Sequence, residues 1–106
     1  MEQDSKMQKI NEFPPFSVLL SVYVKENATF LDKALDSIEK QTVLPKEIIL
    51  VKDGKLTKKL ENVIKKHKNH DNINYVIVAL SKNKGLAQAL KYGTSYVTTN
   101  WIARMD

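Results

Sequence analysis

Apolar residues recur along this chain in two alternating rhythms. Residues 17–24, SVLLSVYV, are too apolar on both sides of the two-residue strand period for a half-wet strand, so they predict one buried on both faces. Phe30, Leu31, Ala34, Leu35 and Ile38 then fall at helical spacing and form one stripe. Two starts suit this helix: Thr29 stands three residues before Asp32 in a capping-box-like arrangement, and Asn27 is the alternative cap. Pro45 disfavours helical geometry at Leu44 and closes the helix. EIILVK, residues 47–52, is a second strand, broken by the turn dipeptide Asp53-Gly54. A helix follows from Thr57, turning Leu60, Val63, Ile64 and His67 inward. After a polar loop, NYVIVAL (74–80) is the third strand, and SKNKG (81–85) leads into a third helix along Leu86, Leu90, Gly93 and Val97. Gly93 within that pattern predicts close packing on the sheet. Residues 98–100 turn into NWIAR, a short fourth strand with Trp101 expected in the core.

The order β-α-β-α-β-α-β with short connections predicts an α/β fold, a Rossmann-like parallel sheet flanked by helices. Residues 1–15 read as a flexible arm ending in Pro14 and Pro15, and 16–106 as one domain.

Composition narrows the function classes. With no cysteine among 106 residues, disulfides, thiolate metal sites and a cysteine nucleophile are excluded, and a reducing, cytoplasmic setting is expected. Residues 1–12 are polar and mixed in charge, unlike a secretory leader, and no apolar run approaches the about 20 residues of a membrane span. The net charge of +5 rests almost wholly on lysine, with Arg104 the sole arginine. Nucleic-acid readers favour arginine forks, so nucleic acid is not an expected partner. The dense cluster KKLENVIKKHK (58–68) reads first as a solvated helix face and second as a contact for anionic lipid at the inner membrane surface. His67 and His70, three apart, lie far from the strand ends and lack other ligands nearby in sequence, so a metal pair is not expected there.

Ligands of open parallel sheets collect at the carboxyl ends of the strands. Here those ends carry Ser21, Tyr23 and Val24, then Asp53-Gly54, then residues 81–85, then Asp106. A carboxylate after the second strand can accept from a nucleobase N–H or ribose hydroxyls. One after the fourth can hold a hard divalent cation beside phosphate oxygens. A lysine before a helix start adds to an anion-favouring terminus. The set suits a nucleoside diphosphate. It does not suit a dinucleotide, since the first strand-helix turn, YVKENATF, has no glycine, and the Walker loop is absent too.

The stretches SVLLSVYV, EIILVKDG, NKGLAQALKYG and WIARMD, in this order, resemble the start of the family-2 glycosyltransferases with the GT-A fold, from about Phe16 to Asp106. The resemblance implies the sugar-nucleotide-binding half of such an enzyme, stopping inside its D-x-D element, with the acceptor half and the general base beyond the chain. It implies that Ser21, Val22 and Tyr23 line the base pocket largely through backbone groups, that Asp53 recognises the base, and that Lys84 lies near the nucleotide. Asp106 would face ribose, diphosphate and a Mg²⁺ or Mn²⁺ ion. The implied reaction is inverting, metal-dependent transfer from a donor such as a UDP-sugar to a glycan or lipid-linked acceptor in polysaccharide synthesis, with no catalytic residue in this part and no activity from it alone. Two positions depart from the family pattern: Val24 stands where Asn is frequent, and Lys52 where many members have a first acid before Asp53. A non-catalytic nucleotide-binding or regulatory module is the alternative. An uncovered edge on the fourth strand would favour self-association.

Overall fold

A computed structural model describes residues 13–105, so most of the expected arm, and Asp106 with it, lies outside the described residues. The chain order is β1 (Phe16–Val22), α1 (Ala28–Glu39), β2 (Glu47–Lys52), α2 (Lys58–His67), β3 (Asn74–Ala79), α3 (Leu86–Thr94) and β4 (Trp101–Met105). All four strands are parallel in the order β3-β2-β1-β4. This is the α/β, Rossmann-like architecture that the apolar rhythm predicts.

The two central strands explain their own composition. Alternate residues of β1 and β2 face opposite layers: Val18, Leu20, Val22, Ile48 and Leu50 pack with Leu31, Leu35 and Ile38 of α1 and Leu60 and Ile64 of α2. Leu19, Ile49 and Val51 pack instead with Ala89 and Leu90 of α3. Burying such a side chain contributes about 1.5–3 kcal/mol, so a strand sandwiched between layers gains at every position. Gly93 meets its expectation: a Cβ there would lie 2.5 Å from Leu19 Cδ1 and 2.8 Å from Val51 Cγ2, so α3 sits closer to the sheet than a side chain permits.

One open choice is decided and two local expectations are corrected. Asn27, not Thr29, caps α1, its Oδ1 accepting from the Phe30 N–H at 3.0 Å. Phe30 is 70% exposed and borders the cavity beside β1 instead of entering the core, which its neighbour Leu31 fills. Trp101 is 60% exposed, because β4 is an edge strand with no helix or neighbouring strand of the described residues over its outer side.

One buried polar cluster ties the base of the sheet together. Glu47, 2% exposed at the start of β2, accepts from Ser17 Oγ (2.6 Å), Thr98 N–H (2.8 Å) and Thr98 Oγ1 (3.0 Å). The Ser17 and Thr99 hydroxyls are also 2.7 Å apart. This carboxylate therefore joins β1, β2 and the turn entering β4, and seats β4 beside β1. Among the described residues, no helix is long and apolar enough to cross a membrane.

Candidate functional site

Parallel strands deliver their following loops to one rim, and here the loops are tied to one another through Asp53. Its N–H donates to Val22 O at 2.8 Å, which joins the ends of β1 and β2. Its side chain is turned inward, 3% exposed, and accepts from Lys84 N–H (2.6 Å) on one oxygen and Gly85 N–H (3.0 Å) on the other. Asn83 Nδ2 reaches the Asp53 carbonyl at 3.5 Å. Gly85, which precedes α3, has no side chain to cap it, so Asp53 supplies the carboxylate that a helix start favours, from 32 residues away.

Gly54 permits this closeness. Its φ is +90°, and a Cβ there would stand 2.8 Å from Asn83 N, so the turn after β2 and the loop before α3 meet backbone against backbone.

The loops enclose a cavity of about 310 Å³ lined by Ser21, Tyr23, Glu26, Asp53, Asn83, Gly85 and Leu86. Its walls are apolar at Tyr23 and Leu86 and polar between them. A second cavity of about 230 Å³ shares Ser21 and Glu26 and opens toward Phe30, Ala34 and Met105. This second cavity lies where β1 parts from β4 on one side while the chain progresses to β2 on the other. That is the reversal of strand order at which ligands of such sheets bind.

The residues expected from sequence fare differently. Ser21, Tyr23 and Asp53 line the first cavity together. Val22 is buried in the core, borders only the second cavity, and offers its carbonyl to Asp53. Lys84 contributes its backbone N–H to Asp53, while its side chain is exposed. Asp106 lies outside the described residues. Lys52, at the family's first acid position, turns its side chain to Glu61 of α2 at 3.0 Å and lines neither cavity. Glu26 and Leu86 are the cavity residues that the sequence reading passed over. Glu26 sits in a charged loop with no local pattern to mark it, and Leu86 looked like the core face of a helix.

Comparison with known proteins shows the family and the fold. The description "Glycosyl transferase family 2" matches residues 17–106. The chain belongs to glycosyltransferase family 2.

Among its relatives in that family, a UDP-Gal:alpha-D-GlcNAc-diphosphoundecaprenol beta-1,3-galactosyltransferase of Escherichia coli is 40% identical over 96 residues, covering 91% of this chain and 34% of the relative. An amylovoran biosynthesis glycosyltransferase of Erwinia amylovora is 43% identical over 91 residues, covering 86% of this chain and 34% of the relative. The chain thus spans about a third of the length of these family-2 relatives. The fold also matches a mannosyltransferase from Pyrobaculum calidifontis, solved in complex with GDP-Man and Mn²⁺. The TM-score is 0.73 at 20% identity, over 87% of this chain and 27% of that one. The family-2 chain therefore has the GT-A form of the Rossmann-like fold.

Proposed function

We propose that this chain is the donor-binding part of a glycosyltransferase that moves a sugar from a nucleoside-diphosphate sugar to a glycan or lipid-linked acceptor. The carrying observation is the clamp from Asp53 to the start of α3, which builds a part-apolar cavity at the strand ends of a family-2 chain. Its size is at the lower end of small-ligand pockets, about 300–1,000 Å³. Tyr23 offers a ring face to the nucleobase. Each oxygen of Asp53 uses one of its two accepting positions on the loop, which leaves capacity for a base N–H or ribose hydroxyl. Val22 acts through its carbonyl alone, and Lys84 adds positive charge near the phosphates.

The fold family implies a divalent ion, and the chemistry of the donor set fits one in kind. Asp106, a carboxylate next to Met105 in the sequence, is one donor of the right kind, and Glu26, which lines both cavities, is another. Such an ion, when bound, stabilises the charge of the leaving diphosphate. The residues of this chain orient the donor and shield it from water, and the acceptor is activated by a base outside them, with inversion at the sugar. The E. coli relative is named for a lipid-diphosphate acceptor. An enzyme of that kind would work against a membrane surface, to which the exposed Lys58, Lys59 and Lys65 of α2 are suited. The open side of β4 would favour self-association where nothing covers it.

Amide resonances of residues 21–26 and 81–86, followed during titration with UDP, GDP and a UDP-sugar with Mn²⁺, test the donor reading. One nucleotide should shift both segments, and Tyr23→Ala should weaken its binding about tenfold, the loss of one base-stacking contact of ~1–3 kcal/mol. Absence of any shift at millimolar nucleotide, or unchanged affinity in the Tyr23 variant, would overturn it.

A further inference from the structure

Away from the rim, one imidazole is held among carboxylates. His67, at the end of α2, has a side chain only 3% exposed. Its Nε2 lies 2.6 Å from Asp32 Oδ1 and 3.9 Å from Asp36 Oδ1, and its Nδ1 lies 2.9 Å from Glu39 Oε2. Asp32, Asp36 and Glu39 all stand on α1. Tyr75 of β3 donates its hydroxyl to the same Glu39 oxygen at 2.6 Å. Lys66 is the further cation here, 3.0 Å from Asp32, with a side chain 61% exposed.

We propose that His67 Nε2, Asp32 and Asp36 form a binding site for a zinc-class divalent ion that ties α1 to α2. Two lone pairs do not approach to 2.6 Å, so a positive centre must sit between Nε2 and Asp32: a proton or a metal. The second ring nitrogen decides how well a metal is served. Glu39, itself held by Tyr75, accepts from Nδ1–H and so leaves the Nε2 lone pair aimed at the two aspartates. This is the carboxylate-histidine-metal arrangement that orients a ligating imidazole and raises its basicity.

The three ligand atoms lie within 4.8 Å of one another. Around a tetrahedral ion with bonds of about 2.0–2.1 Å, neighbouring ligand atoms are about 3.3 Å apart. Asp32 must then open from 2.6 Å and Asp36 close from 3.9 Å, each by less than about 1 Å. Both aspartates are partly exposed and the imidazole is not, so the moving groups are the free ones. A nitrogen with two oxygens and an open fourth position suits Zn²⁺ or Co²⁺ better than Mg²⁺ or Ca²⁺, which take oxygen ligands. Lys66 can swing into solvent when the ion arrives. Sequence alone did not show this, because the ligands come from two helices about 30 residues apart.

The test is titration of the tag-free, metal-stripped chain with Co²⁺ alone, followed by visible absorption and by the His67 ring proton resonances. One equivalent should produce tetrahedral d–d bands and shift the His67 signals, and Zn²⁺ should displace the Co²⁺. Asp36→Asn, which breaks no hydrogen bond described here, should weaken binding at least tenfold, and His67→Gln should abolish the bands. Bands absent at millimolar Co²⁺, or equal affinity in Asp36→Asn, would overturn the proposal. A cation site at the rim would offer only oxygen ligands and leave His67 unmoved, so the donor reading stands or falls separately.

Discussion

Replacing Glu47 with alanine removes one buried acceptor from three donors at the foot of the sheet: Ser17 Oγ, Thr98 N–H and Thr98 Oγ1. Ser17 keeps the neighbouring Thr99 hydroxyl at 2.7 Å, and the hydroxyl of exposed Thr98 can turn to water. The unrecovered loss is the Thr98 N–H and part of the Ser17 bond. A buried donor left without a partner costs about 1–3 kcal/mol, and with the lost packing the alanine variant should be destabilised by about 3 kcal/mol. Glutamine keeps an oxygen where Ser17 and the Thr98 N–H need one and turns its amide toward the Thr98 hydroxyl, which can accept. Only the charge assistance is lost, about 1 kcal/mol. At roughly 4–8 °C per kcal/mol, thermal midpoints followed by circular dichroism should fall by about 12–24 °C for Glu47→Ala and about 4–8 °C for Glu47→Gln. The pH profile gives a second readout. Burial pushes the Glu47 carboxyl up, but the hydrogen bonds from Ser17 and both Thr98 groups outweigh it and hold the group below its ordinary value of 4.5. Because the folded value lies below the unfolded one, this stabilisation is complete above about pH 4.5 and is lost as pH falls through the folded value. The gap between parent and Glu47→Gln should therefore shrink only below that pH. Equal damage from Ala and Gln, or an alanine variant within about 0.5 kcal/mol of the parent, would refute the account of β4 anchoring.

Three further outcomes are expected. Gly93→Ala should destabilise the chain in urea unfolding, since overpacking against Leu19 and Val51 costs about 1–3 kcal/mol and offsets the ~1 kcal/mol gain in helix propensity; a more stable variant would contradict the close approach of α3. Gly54→Ala, strained at φ +90° and driven into Asn83 N, should cost about 1–3 kcal/mol and shift the amide resonances of residues 81–85, and an unchanged spectrum would disprove the contact. Asn27→Ala should lower stability by about 1 kcal/mol by thermal unfolding while Thr29→Ala changes it little, and the reverse order would return the cap to Thr29.

Much of the fold was legible because strand and helix periods are properties of neighbouring residues. EIILVK is apolar on both faces wherever it lies, and such a strand is stable only between two layers. The candidate rim was legible in part for the same reason: parallel strands place their carboxyl ends together, so Ser21, Tyr23 and Asp53 could be assigned to one edge before any coordinates. What each side chain does there was not legible. Asp53 turns inward to hold Lys84 and Gly85, and nothing near residue 53 announces partners more than thirty residues away.

The sequence by itself therefore determined the alternation of elements, the two-layered burial of β1 and β2, the tight packing at Gly93 and membership of the family. Each depends on local period or on short motifs in order. Only the tertiary structure decided that β4 is an edge that leaves Trp101 exposed, that Glu47 anchors it, and that His67 meets three carboxylates of α1. Those contacts join groups from separate elements. Their energies arise only once the sheet order has brought the elements together.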